Sequence, residues 1–277
     1  MFVYNRYTLS DFALVRHLSE AGLSDYEVGR RTSVPRATVQ DWRKRSHPPR
    51  GLTEPRGTIY EPANARAYSY LLGCYLGDGT ISQTGQRTWR LAIFCDRTYP
   101  AVTSEVAGAV QACAAASPVR LNDRSDRGVT VVCASSHLWP AAFPQLGPGR
   151  KHERDVSLRL WQLDITTAHP REFLRGLVHS DGCRTINTFK TKLSAGRIAQ
   201  YSYPRYFFTN LSAQIRCMFC AHAELIGVRW TQSNPRNISI SHRDSVALLD
   251  GVHRAEELRS ALRRAAARCR APDAAVA

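Results

Sequence analysis

The sequence predicts an α+β fold: two pseudo-symmetric αββαββα repeats with mainly antiparallel sheets, preceded by a small all-α unit. Three observations predict it. Leu71-Leu72-Gly73-Cys74-Tyr75-Leu76-Gly77-Asp78-Gly79 and Leu174-Arg175-Gly176-Leu177-Val178-His179-Ser180-Asp181-Gly182 repeat one pattern 103 residues apart: an apolar segment with small residues at its third and seventh places, closed by Asp-Gly. Each copy is followed by the same succession of alternating and helical segments. The first 47 residues carry a helical stripe of their own, set off by a Pro- and Gly-rich stretch.

From the N-terminus, Thr8 to Ala21 places Leu9, Phe12, Ala13, Leu14, Val15 and Leu18 on a stripe that Gly22 ends. Ser24 and Glu27 form a capping box opening a short second helix through Val28 to Arg31. Pro35 suits the first position of a third helix, Pro35 to Arg45. That helix is expected to bury Val39 and Trp42 and to expose Arg36, Thr38, Gln40, Arg43 and Lys44. Ser46 to Gly57 has no apolar period and reads as a linker. The organisation is then 1–47 helical unit, 48–65 linker, 66–158 first repeat, 159–254 second repeat and 255–277 an Ala- and Arg-rich tail, expected to fray past Cys269.

In the first repeat, Thr88–Asp96 alternates as a strand, Val102 to Ala116 is helical by composition, and Val119–Asn122 with Val129–Ala134 read as a hairpin. Ser136–Leu146 holds a short apolar stretch. The second repeat follows suit: Cys183–Phe189 and Ala199–Phe208 are strand-like, Ser212–Ile226 is a helix, Val228–Gln232 and Asn237–Ser241 pair, and Arg243 to Val252 closes with a helix.

The repeated motif carries the chemistry. Gly79 and Gly182 read as residues just past a helix end, where positive φ is needed. Asp78 and Asp181 then sit on the last turn, where the helix dipole disfavours an acid by a few tenths to ~1 kcal/mol. Two such acids at matching places point to a bound cation. Gly73 and Gly77 lie four apart on one helix face, as do Gly176 and Ser180 on the other. Interior glycine costs ~1 kcal/mol against Ala, and close contact of two backbones is the compensating reason. Helices crossing on these faces bring both carboxylates together, a donor set suited to a hard divalent cation such as Mg²⁺.

These residues resemble the two signature helices of the single-chain LAGLIDADG (dodecapeptide, DOD-type) homing endonucleases, a resemblance that covers about residues 66 to 255. It implies saddle-shaped antiparallel sheets astride a duplex and Mg²⁺ (or Mn²⁺) held by Asp78 and Asp181, joined by the carbonyls of Gly77 and Ser180. At the sixth motif place, where the family name has Asp, this chain has Leu76 and His179. The resemblance further implies a basic residue near the end of each repeat, beside the scissile phosphate. Lys151 and Arg254 each follow their Asp by 73 residues, and Lys151 is the better match. An exposed loop Lys is the plain alternative.

The N-terminal frame, Leu23-Ser24 through Glu27-Val28-Gly29, Val34, Thr38-Val39 and Trp42, resembles a helix-turn-helix, whose last helix enters the major groove. A helical hairpin used for protein contact is the alternative.

A net charge of +15 and a pI near 9.9 agree with double-stranded DNA as partner, with Arg supplying 34 of the 38 basic residues. On the sheets, Arg87 and Arg90 are expected to meet DNA in the first repeat, and Arg184, Asn187, Lys190, Lys192, Arg197 and Arg205 in the second. Solvated loop charge is the alternative for that cluster. Of eight Cys, only Cys217 and Cys220 have C-x-x-C spacing, with His222 beyond, and no second pair completes a zinc site. No apolar run of 18 residues and no signal peptide is visible, so the expectation is a soluble, cytoplasmic, prokaryotic protein, freestanding rather than part of an intein. The doubled repeat predicts a monomer that is its own pseudo-dimer.

The expected activity is metal-dependent phosphodiester hydrolysis giving a staggered double-strand break, with Asp78, Asp181 and Lys151 as catalytic residues. The rival reading is a transcriptional regulator on a LAGLIDADG-like body that binds DNA without cutting it.

Overall fold

The computed structural model describes residues 7, 9–32, 34–49, 60–86, 88–114, 116–192 and 197–252. Arg87, Arg254, most of the linker and the tail lie outside the described residues. Two compact units emerge, one comprising residues to Tyr60 with Leu158–Leu163, the other Glu61–Ser157 with the chain from Asp164 onward.

The first unit holds α1 (Leu9–Glu20), α2 (Asp25–Thr32) and α3 (Arg36–Lys44). Phe12, Val15, Val28, Val34, Val39 and Trp42 form its core, as the stripes predict. The capping box is real: Ser24 N–H donates to Glu27 Oε2 at 3.0 Å, and Glu27 N–H returns to Ser24 Oγ at 3.3 Å. Pro35 stands one place earlier than expected, as the N-cap of α3, with extended ψ of 140°.

The second unit repeats itself. Helix α4 (Ala65–Asp78) leads into β1 (Gly79–Gln83) and β2 (Trp89–Asp96), then α5 (Pro100–Cys113), β3 (Arg120–Arg124), β4 (Val129–Ser136) and the single turn α6 (Trp139–Ala142). A helix the sequence reading did not name, α7 (Leu160–Ala168), precedes the second copy. That copy comprises α8 (Pro170–Asp181), β5 (Gly182–Lys192), β6 (Ile198–Thr209), α9 (Ala213–Leu225), β7 (Thr231–Asn234), β8 (Asn237–Ile240) and α10 (243–252). Side-chain caps begin two of these helices. Asn64 Oδ1 accepts from Ala67 N–H at 3.0 Å, and Ser212 Oγ accepts from Ile215 N–H at 3.4 Å.

Both sheets are antiparallel and share one topology, β1-β2-β4-β3 and β5-β6-β8-β7. On β2, Leu91, Ile93 and Cys95 are buried beneath the helices; on β6, Tyr206 and Phe208 are. The fold is therefore the predicted α+β pair of repeats.

The two motif helices cross on their small residues. A Cβ built on Gly73 would lie 2.5 Å from the Phe173 carbonyl oxygen, and one on Gly176 would collide with the Tyr70 carbonyl. Beside this crossing lies a buried polar group that exists in one direction only. Arg175 Nε pairs with Glu105 Oε1 at 2.8 Å, and the Tyr70 hydroxyl and His179 Nδ1 are 2.9 Å apart. The first-copy counterparts of Arg175 and His179, 103 residues earlier, are Leu72 and Leu76.

Candidate active site and nucleic-acid interface

The glycines closing the motifs do not take positive φ. Gly79 has φ −90° and ψ 151°, and Gly182 has φ −88° and ψ 149°. Each helix runs straight into its first strand, so the cap residue is already extended. Glycine is required there by space: a Cβ on Gly79 would lie 2.5 Å from the Tyr75 Cα, and one on Gly182 2.5 Å from the Val178 carbonyl oxygen. The acids therefore stand at helix–strand junctions.

Asp78 and Asp181 line one cavity of about 650 Å³ with Gly77, Lys151, His152 and Asn210. A Cβ on Gly77 would sit 2.8 Å from Asp181 Oδ2, which shows how closely the second acid approaches the first helix end. Surrounding protein pushes Asp78 up to about 6, with the neighbouring Asp181 charge adding to the shift and Lys151 opposing it. Asp78 keeps an exposed edge, so solvent screens part of that effect. Asp181 is also raised by desolvation, against a hydrogen bond from Asn210 and the Lys151 charge.

Lys151 is brought to both acids from the loop after α6. Its ammonium donates to the Gly77 carbonyl at 2.8 Å and to the Tyr75 carbonyl, and lies 4.9 Å from the centre of the Tyr75 ring. Desolvation lowers it to about 8, while Asp181 and Asp78 pull upward. The Gly77 carbonyl, predicted as a metal ligand, thus already faces a cation. Ser180 Oγ turns back on its own helix, to the Gly176 and Leu177 carbonyls at 3.1 Å each.

Asn210 was missed, since nothing near it in sequence marks it. Its Oδ1 accepts from Ser212 N–H at 2.7 Å, which aims Nδ2 at Asp181 Oδ2, 2.8 Å away.

The donor set fits a hard divalent ion. It consists of two carboxylates and main-chain carbonyls, already attracts an ammonium, and has room for waters. Among the described residues no group of three or more His, Cys, Asp or Glu gathers as a metal cage. Cys220 and His222 are buried on α9, where His222 Nδ1 lies 2.7 Å from the Met218 carbonyl oxygen.

The expected DNA contacts divide. Paired residues of neighbouring strands share a face, so register sorts the β5–β6 cluster. Asn187 and Arg205 lie on the open face, with Tyr203 and Phe207; Arg184, Lys190 and Lys192 lie on the face that leads under the helices. Arg184 is committed there, with Nε and an Nη donating to the two carboxylate oxygens of Asp250 at 2.8 and 3.1 Å. Arg197 is exposed just before β6. In the first sheet Arg90 is on the open face, donating to Cys133 Sγ at 3.3 Å, and the same face holds Arg120, Asn122 and Arg124, which sequence reading did not single out. In the N-terminal unit Arg36, Gln40 and Lys44 are exposed on α3 and Thr38 half-buried, whereas Arg43 braces Asp25 at 3.1 Å and the Leu23 carbonyl at 2.5 Å.

No protein-family model matches the chain, and no curated protein does. Solved structures similar to it are LAGLIDADG homing endonucleases. I-DmoI in complex with DNA and Mn is 16% identical, with 69% of this chain and 98% of that chain covered and a TM-score of 0.44. I-AabMI bound to uncleaved DNA is 11% identical, covering 66% and 83% at a TM-score of 0.40. I-WcaI bound to its recognition sequence is 10% identical, covering 70% and 82% at 0.41. The fold described here stands on its own topology and register, not on these scores. No helix among the described residues is long and apolar enough to cross a membrane.

Proposed function

We propose that this chain is a divalent-metal-dependent DNA endonuclease that makes a staggered double-strand break, each half of the site serving one strand. One observation carries the reading: two carboxylates from the ends of two crossed, pseudo-symmetric helices line one cavity together with a half-buried lysine. Asp78 and Asp181 would hold Mg²⁺ or Mn²⁺, which when bound supplies an activated water and stabilises the leaving 3′-oxygen. Lys151 offers an ammonium to charge developing on the phosphate. The open sheet faces, with Arg90, Arg120, Asn187 and Arg205, contact the duplex. The exposed face of α3 adds a second grip through Arg36, Gln40 and Lys44. The net charge of +15 supports a polyanionic partner.

The test is cleavage of a plasmid library carrying randomised inserts, with Mg²⁺ or Mn²⁺ and with chelator. Linear product that needs the metal, and that vanishes in the Asp78→Asn, Asp181→Asn double variant, is the expected result. Duplex binding without any cut in either metal, unchanged in that variant, would make the protein a regulator instead.

A further inference from the structure

The β5–β6 ribbon reaches beyond the sheet that supports it. β5 and β6 pair from Gly182–Phe208 out to Lys192–Ile198, but β8 covers β6 only from Tyr206 to Thr209. The outer part is a two-stranded ribbon with aromatic side chains on its open face. Phe189 stacks on Tyr201 (centroids 5.5 Å apart, planes 26°) and meets the edge of Tyr203 at 5.9 Å. Asn187 Nδ2 donates to the Tyr203 hydroxyl at 3.0 Å and fixes that ring. Phe189 is 41% exposed and Tyr201 44%.

A two-stranded ribbon is marginal in water, and clustered exposed aromatics call for a partner surface. Its occupant is duplex DNA rather than a second copy of this chain. Lys190 and Lys192, on the ribbon's other face, and Arg197 make its outer end positive, so two ribbons repel one another while a phosphate backbone is attracted. A two-stranded ribbon also matches the width of the major groove, where the apolar feature on offer is the thymine 5-methyl group. The corresponding face of the first sheet is different. There Arg90, Arg120 and Arg124 accompany Asn122, with Phe94 as its exposed aromatic. Arginine forks suit guanine edges.

We infer that the recognition site is unsymmetrical in base composition: the ribbon face of Phe189 and Tyr201 reads a thymine-containing flank through methyl contacts, and the first sheet reads a guanine-richer flank through arginine. This rests on the reading of the chain as a DNA endonuclease.

The experiment selects duplexes bound by the full-length protein from a randomised library, in Ca²⁺ or chelator so that cleavage plays no part. Thymines are then replaced singly with deoxyuridine, which lacks only the methyl group. The expected result is one A·T-rich flank in which each contacted thymine loses about three- to fourfold in affinity on replacement. Phe189→Ala and Tyr201→Ala should bind thymine and uracil alike on that flank and leave the other unchanged. Two flanks of equal composition, or full tolerance of deoxyuridine by the wild-type protein, overturns the inference while leaving the nuclease reading intact. Failure to enrich any duplex overturns both. Self-association that Phe189→Ala abolishes, with DNA binding untouched, assigns the ribbon to a second copy and likewise overturns it.

Discussion

Gly73 and Gly176 touch backbone to backbone: a Cβ built on either would lie 3.0 Å from the Cα of the other. A methyl group there has rigid main chain as its neighbour, which cannot swing aside as a side chain does. Gly176→Ala is expected to destabilise the protein by about 2–3 kcal/mol, read from urea unfolding. Because the acids ride on the ends of the same helices, it should also cost more cleavage than its stability loss explains.

The acids themselves carry a cost in the metal-free protein. Asp78 is pushed up to about 6 and Asp181 moves the same way, against roughly 4 for a carboxyl of the unfolded chain. The folded state therefore binds more protons between about pH 4 and 6, and stability contributed by this pair rises as pH falls through that window. Asp78→Asn should raise the metal-free Tm at pH 7 and flatten its dependence between pH 7 and 5. Adding Mn²⁺ at pH 7 should raise the Tm of the wild type but not that of the Asp78→Asn, Asp181→Asn variant.

Lys151 separates binding from chemistry. Its ammonium is held on two main-chain carbonyls inside the cavity. Lys151→Met is expected to lower the cleavage rate about 100-fold or more. Duplex affinity, measured in Ca²⁺, should stay within about twofold.

The basic residues of β5 and β6 should divide in the same way. Arg184→Gln, which breaks the Asp250 pair, should cost about 1 kcal/mol of stability and leave the salt dependence of DNA binding unchanged. Arg205→Gln, on the open face, should weaken binding and reduce the slope of log affinity against log salt by about one.

Removing one member of the buried group beside the helix crossing should be severe. Glu105→Gln removes the negative charge 2.8 Å from the buried Arg175 guanidinium, an expected loss of about 3 kcal/mol in chemical denaturation.

The motif helices, the capping box of α2 and most of the order of elements were legible in the sequence, because each depends on local period or local hydrogen bonding, whereas β1 and α7 were not. The phase of a strand was not. Arg184, Asn187, Lys190, Lys192 and Arg205 look like one basic patch, yet only pairing register decides which face each takes. Gly79 was misread for a related reason. A glycine after a helix usually signals a left-handed cap, and here it answers to the Tyr75 backbone it must pass. Asn210 left no trace, since its partner Asp181 is 29 residues away and meets it only once β6 has folded back.

The one-sided placement of Arg175 and His179, opposite Leu72 and Leu76, has a consequence for how such a molecule changes over time. In a dimer of identical subunits every substitution appears twice, and the sequence it grips must be palindromic. Here the halves are distinguishable and joined in one chain. Each is free to change without dragging the other along.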